Sequence, residues 1–137
     1  MNIVVRVSAP VHATEDEEKV KLAITNLFPV ELYLKDQMLY GKGTLESLRK
    51  LHLLLREQRI LDTARSVLLH GVKENATEFY LNKQAAFVGK VNFSDEKPSL
   101  GCIYVVISAE DYEKLMKIIQ WLAPKTIDGR PVEEIEL

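Results

Sequence analysis

The apolar residues of this chain change period along its length, and the order of the changes leaves few folds open. Ile3, Val5 and Val7 alternate with Val4, Arg6 and Ser8 up to Pro10. A two-residue period puts one set of side chains on each face of a half-buried strand. Val20, Ala23, Ile24, Leu27 and Phe28 then recur at helical spacing and stop at Pro29. Thr14 and Glu17, at capping-box spacing, are expected to open this helix, and the acidic run from Glu15 to Glu18 suits the positive end of its dipole. Segments 31–35 and 38–42 read as a hairpin about Asp36 and Gln37.

A second helix, expected to be capped by Thr44, carries Leu48, Leu51 and Leu55. Its phase then fails. The next stripe positions fall on Arg59 and Asp62, while Ile60, Ala64, Val67 and Leu68 start a new stripe. This predicts two helices or one sharp bend, closed by Gly71. Strands are expected at 77–81, 87–93 and 101–107, with a hairpin loop at 95–99. Ser108 is expected to cap a last helix with Tyr112, Leu115, Met116, Ile119 and Leu122 on one face and Pro124 at its end. The run Asp128-Gly129-Arg130-Pro131 marks a turn. The order β-α-β-β-α-α-β-β-β-α has paired strands and few parallel crossovers. It predicts one α+β domain over 1–137, with a largely antiparallel sheet, helices packed on one face and the other face more open.

Composition narrows the classes. With 137 residues, 47% apolar and 28% charged, the chain is an ordinary globular protein. One cysteine, Cys102, in an apolar run reads as a small buried strand residue, which leaves no disulfide framework and no thiol zinc site within one chain. No charged leader with an apolar run opens the sequence, and no apolar run approaches membrane-spanning length, so a cytoplasmic protein away from membranes is expected. The net charge is −2, but segment 49–90 holds eight Lys/Arg against four Asp/Glu, and both flanks are acidic. Such an asymmetry creates a local surface attractive to anions.

Glycine-rich phosphate loops, the nucleophile elbow and the zinc-protease helix motif are absent. His12, His52 and His70 lie far apart, none at helical spacing from another ligand, so no metal or other cofactor is expected. Asp62 stands three residues from both Arg59 and Arg65, as in an intrahelical ion-pair ladder. Two segments carry denser chemistry. Segment 56–65 holds Arg56, Arg59 and Arg65; neighbouring guanidinium groups suit phosphate or carboxylate, and equally suit bracing of a helix junction. Segment 80–91 holds Asn82, Lys83, Gln84 and Lys90 among Ala and Gly, where lysine would meet phosphate and the amides would meet base edges or sugar. It also suits a plain polar connection. Tyr33, Tyr80, Tyr104 and Arg6 fall on the polar phase of their strands. On one open face the rings would offer stacking platforms to unpaired bases, or serve as ordinary cross-strand pairs.

At segments 55–65 (LREQRILDTAR) and 79–91 (FYLNKQAAFVGKV) the chain resembles an archaeal protein family associated with RNA binding. TEDEEKV in the first helix and WLAPKTIDG at 121–129 are similar too, so the resemblance covers nearly the whole chain. It implies a fold similar to that of the large-subunit ribosomal protein that binds 5S RNA, an antiparallel sheet with helices packed on it. It implies RNA as partner, and it supplies no catalytic residue. The leading expectation is an RNA-binding module using Arg56, Arg59, Arg65, Asn82, Lys83, Gln84 and Lys90. The alternative, an interaction or structural module in the form of a homodimer, would instead expose Leu53, Leu54, Ile118 and Trp121, which fall off the main stripes. An enzyme acting on a small phosphate ligand would need Lys83 in a closed pocket.

Overall fold

The computed structural model describes residues 2–94 and 101–137. Val4–Pro10 forms β1, Glu17–Leu27 α1, and Leu32–Lys35 with Met38–Gly43 the hairpin β2–β3. A 3-10 turn at Leu45–Leu48 leads into α2, Arg49–Glu57, followed by α3, Leu61–His70. Then come β4 (Val72–Lys73), β5 (Ala76–Asn82), α4 (Lys83–Phe87), β6 (Phe93–Ser94), β7 (Cys102–Ser108) and α5 (Tyr112–Leu122). The small hairpin β8–β9, Thr126–Ile127 with Arg130–Pro131, follows.

The main sheet has the order β2-β3-β1-β7-β5-β4, with β6 also beside β5, and every pairing among the described residues is antiparallel. Alternation decides what each strand buries. Val5, Val7 and Ala9 of β1, Phe79 and Leu81 of β5, and Ile103, Val105 and Ile107 of β7 join one core with the apolar stripes of α1, α2, α3 and α5. The opposite face keeps Arg6, Ser8, Tyr40, Lys42, Glu78, Tyr80 and Tyr104 half-buried or exposed. This is the α+β architecture expected, with helices on one face. Cys102 is buried, as expected. Among the described residues no helix is long and apolar enough to cross a membrane.

The phase break is a real helix break. α2 ends at Glu57, Arg59 takes a positive φ of 56°, and α3 starts at Leu61. The hairpin turn also holds: Asp36 and Gln37 both have positive φ, the two-residue turn whose twist matches the strands it joins. Asp128 and Gly129 repeat that device between β8 and β9. Gly71 does close α3, though with negative φ; it is glycine because a Cβ there would collide with the carbonyl oxygen of Glu78.

Several expectations need correction. Asp16 caps α1, accepting from the Glu18 N–H at 3.0 Å, because Glu15 is drawn away to the His12 N–H and Lys83. Asp111 caps α5, accepting from the Lys114 N–H at 2.8 Å, whereas Ser108 still belongs to β7. The strand expected at 87–93 is mostly not a strand. Asn82 caps the short α4, Gly89 turns the chain at φ 77°, and only Phe93 reaches the sheet. Ile118 and Trp121 are buried, because α5 packs on the sheet and against both α2 and α3 and so buries a wider face than one stripe. Leu54 is half-buried and Leu53 is exposed. The hairpin loop expected at 95–99 lies outside the described residues.

Candidate functional site

The basic residues of segment 56–65 separate by role. Arg56 engages all five of its N–H donors with partners within the chain. Nη1 donates to the carbonyls of His52 (2.9 Å) and Leu122 (3.0 Å), Nη2 to the carbonyl of Trp121 (3.0 Å), and Nε and Nη2 grip the Glu134 carboxylate. The last carbonyls of a helix lack intrahelical partners and carry partial negative charge, so a guanidinium at the end of α5 answers both. Arg65 acts alike, Nη1 donating to Gln120 Oε1 and to the Ala123 carbonyl at 3.0 Å each. Arg59 has no such partner among the described residues and is exposed at the helix break.

Segment 80–91 divides the same way. Lys83 is 6% exposed, and its Nζ donates to the Pro10 carbonyl at 2.7 Å and to both Glu15 oxygens at 3.1 and 3.2 Å. It forms part of the wall of a cavity of about 360 Å³ between α1 and α4, with its ammonium turned to Glu15. Burial pushes the Glu15 carboxyl up, but the His12 N–H and the Lys83 ammonium outweigh it, so the carboxyl lies below its ordinary value. Asn82 spends its side-chain oxygen on the Ala85 N–H. Gln84 and Lys90 are exposed, with no side-chain partner among the described residues.

The two segments do meet, at one seam. Gln58 Nε2 donates to the Val91 carbonyl at 2.9 Å, and the Val91 N–H donates to Gln58 Oε1 at 2.8 Å. Arg59 and Lys90 each stand next in sequence to that pair. Of the expected residues these two cations flank that pair and are exposed, while Arg56, Arg65 and Lys83 are engaged by partners within the protein.

A second constellation lies on the open sheet face. Register places Tyr33 opposite Tyr40, Tyr40 opposite Ser8, Ser8 opposite Tyr104, and Tyr104 opposite Tyr80. Directly paired residues share a face, so these five form one row across β2, β3, β1, β7 and β5. The outer residues stack on the inner ones. Tyr33 and Tyr40 lie 5.5 Å apart at 27°, and Tyr80 and Tyr104 5.1 Å apart at 28°. Among the described residues of this row, only Ser8 stands between the two stacks. The next row places Lys42 opposite Arg6 and Arg6 opposite Val106. Both cations are exposed, and neither has an ion pair among the described residues. A groove of about 260 Å³ is lined by Arg6, Ser8, Tyr33, Tyr40, Lys42 and Tyr104.

The Tyr104 hydroxyl donates to Glu78 Oε2 at 2.5 Å. Burial, then that carboxylate, push the phenol up to about 12, so the ring stays neutral at any physiological pH. Alternation already pointed to Tyr33, Tyr80, Tyr104 and Arg6. Tyr40 and Lys42 were missed, yet a two-residue turn at Asp36 and Gln37 fixes Tyr33 opposite Tyr40, and that signal was in the sequence.

A family model described as RNA binding matches residues 4–109. A UPF0201 protein of Methanocaldococcus jannaschii is 47% identical over 135 residues, covering 96% of this chain and 78% of that protein. A UPF0201 protein of Methanopyrus kandleri is 44% identical over 140 residues, covering 92% and 87%. The chain belongs to the UPF0201 family. In three dimensions it matches the 2.2 Å crystal structure of a UPF0201 protein from Methanococcus jannaschii with a TM-score of 0.82 at 46% identity, covering 95% of this chain and 99% of that one. The matched stretch of the family model takes in every strand that contributes to the tyrosine row and ends before α5. These UPF0201 relatives come from archaea.

Proposed function

We propose that this UPF0201 protein binds RNA on the open face of its sheet, with single-stranded RNA as the substrate class. The observation that carries the reading is the row of four tyrosines interrupted at Ser8, with Arg6 and Lys42, which have no ion pair among the described residues, alongside. Every base has an apolar π-face, so exposed aromatic rings on a sheet hold unpaired bases with little regard to sequence. Phosphates need cations free to approach them, and Arg6 and Lys42 meet that need better than Arg56, Arg65 or Lys83, which already have partners inside the protein. Arg59 and Lys90 would extend the phosphate contacts at a separate seam, with Gln84 as a polar neighbour. The match to a family model described as RNA binding supports the same reading. An interaction module has less support, because Ile118 and Trp121 are buried.

The test is fluorescence-polarisation binding of single-stranded and duplex RNA at two salt concentrations, comparing wild type with Arg6→Ala, Lys42→Ala and Arg59→Ala. Expected is binding that prefers single strands and weakens with salt, and a salt slope that falls by about one for each lost phosphate contact. Wild-type affinity in both Arg6→Ala and Lys42→Ala would move the site off this face. Absence of binding to any RNA at low salt would end the RNA reading altogether.

A further inference from the structure

We infer that the gap above Ser8 is a slot for one unpaired nucleobase, sandwiched between Tyr40 and Tyr104, with the flanking phosphate held by Arg6 and Lys42. The inference rests on the RNA reading above and deepens it to a defined subsite.

Spacing is the first argument. Tyr40 and Tyr104 occupy the strands on either side of β1, so their backbones stand about two strand spacings apart, roughly 9.5 Å. A flat ring between two others needs about 7 Å from wall to wall, two van der Waals contacts of about 3.5 Å each. The gap therefore fits one ring and excludes two. It stays open because position 8 is serine; a larger side chain on that row would fill it.

Bracing is the second. The ring of Tyr40 is backed by Tyr33 and that of Tyr104 by Tyr80, and the Tyr104 hydroxyl is tied to Glu78. Neither inner ring can fold away from the gap without leaving its neighbour. The slot is thus formed before any ligand arrives, which reduces the ordering that binding demands.

Charge is the third, and it is independent of the rings. Arg6 and Lys42 face each other directly across β1 and β3, with no carboxylate on either among the described residues. Like charges in direct cross-strand register destabilise a sheet, and an anion between them reverses the sign of that contact. The groove of about 260 Å³ is smaller than the ~300–1,000 Å³ typical of small-molecule sites and lies open to solvent on one side. That suits a base entering edgewise while its sugar and phosphate remain outside. A base stacked and paired in a duplex cannot enter, so the slot selects single strands.

The experiment titrates the full chain into a single-stranded oligoribonucleotide carrying one 2-aminopurine. It follows base fluorescence and polarisation together, for wild type, Ser8→Phe and Tyr40→Leu. Thermal unfolding and sedimentation are measured on the same samples. Expected is quenching of 2-aminopurine by wild type, and loss of the quench with affinity about tenfold weaker in both variants. Should Ser8→Phe fail to fold, Tyr40→Leu, which removes a wall at a half-buried position, carries the test. RNA binding by wild type without a quench, or an undiminished quench in Ser8→Phe, overturns the slot and leaves the RNA reading standing. No RNA binding by wild type overturns both. No RNA binding together with a concentration-dependent dimer that Ser8→Phe dissociates assigns the face to a second copy of this chain.

Discussion

Gln58 and Val91 hold each other through both of the valine's backbone groups, the amide accepting from its N–H and donating to its carbonyl. One side chain thereby closes the helix break onto the chain leaving α4. Gln58→Ala leaves two part-buried backbone groups without partners and is expected to destabilise the fold by about 1–3 kcal/mol, read as the shift of a urea midpoint. Because Arg59 and Lys90 flank the pair, hydrogen exchange at both segments should rise together in this variant. Faster exchange at only one of them would mean that the seam is not shared.

Lys83 tests whether a buried cation is structural. Lys83→Met leaves the Glu15 carboxylate and the Pro10 carbonyl facing an apolar side chain, and a loss of about 3 kcal/mol is expected. That corresponds to roughly 10 °C in Tm for a domain of this size. RNA affinity, measured where the variant is folded, should not change. A folded Lys83→Met that loses RNA binding would place Lys83 back in the footprint. Glu15 is lowered in the fold, so its contribution is present above 4.5 and disappears as pH falls through the folded value.

Alkaline pH addresses Tyr104. Its phenol is raised to about 12, so the fold holds that proton more tightly than the unfolded chain does. The stability it contributes is complete below pH 10, its ordinary value, and is lost as pH rises through about 12. Absorbance of ionised tyrosine should show one late step, and Tyr104→Phe should remove it. A titration complete by pH 11 in the native protein would contradict the Glu78 contact.

Trp121 supplies an acid-side probe, being the single tryptophan of the chain. His52 stacks on it with ring centroids 4.4 Å apart. Burial, then the Arg56 cation, lower the His52 imidazole from 6.5, with Glu134 opposing. The contribution to stability is therefore present above pH 6.5 and lost as pH falls through the lower, folded value. Trp121 fluorescence should titrate with a midpoint below 6.5. Arg56→Gln should raise that midpoint by removing the cation, and a midpoint unmoved by Arg56→Gln would show that burial alone sets it.

Gly71→Ala is expected to destabilise markedly although φ at this position is negative, because the added methyl meets the Glu78 backbone rather than a side chain that can swing aside. Unfolding in denaturant measures it. A neutral result would require α3 and β5 to separate freely at that crossing.

What the sequence disclosed follows from what is periodic. Val4–Pro10, the Asp36–Gln37 hairpin, β5 and β7 announce themselves by alternation, and the failed phase after Leu55 marks the break at Arg59. The cap residues were misplaced because Thr14 and Asp16, like Ser108 and Asp111, are equally competent oxygens a few residues apart, and tertiary demands on Glu15 and Ser108 decide between them. The strands β4, β8 and β9, two residues each, have no period to read. The five-residue α4 hides for the same reason. On the open face, phase alone located Tyr33, Tyr80, Tyr104 and Arg6. The fate of Arg56, Arg65 and Lys83 was not legible, since their partners lie 55 to 78 residues away and local pattern does not distinguish a cation with a distant partner from one without.

The tyrosine row also has a bearing on how binding and folding are linked. Its members come from five strands scattered between residues 8 and 104, and no peptide that stops short of β7 carries the central strands β3, β1 and β7 together. Each ring reaches the face through the phase of its own strand, so a slip of one residue in β3 would send Tyr40 into the helices' side and bring Leu39 or Gly41 out. Ligand occupancy on this surface is therefore a gauge of alignment across the whole sheet. Any agent that melts one pairing should abolish recognition at once, without passing through weaker, partial binders.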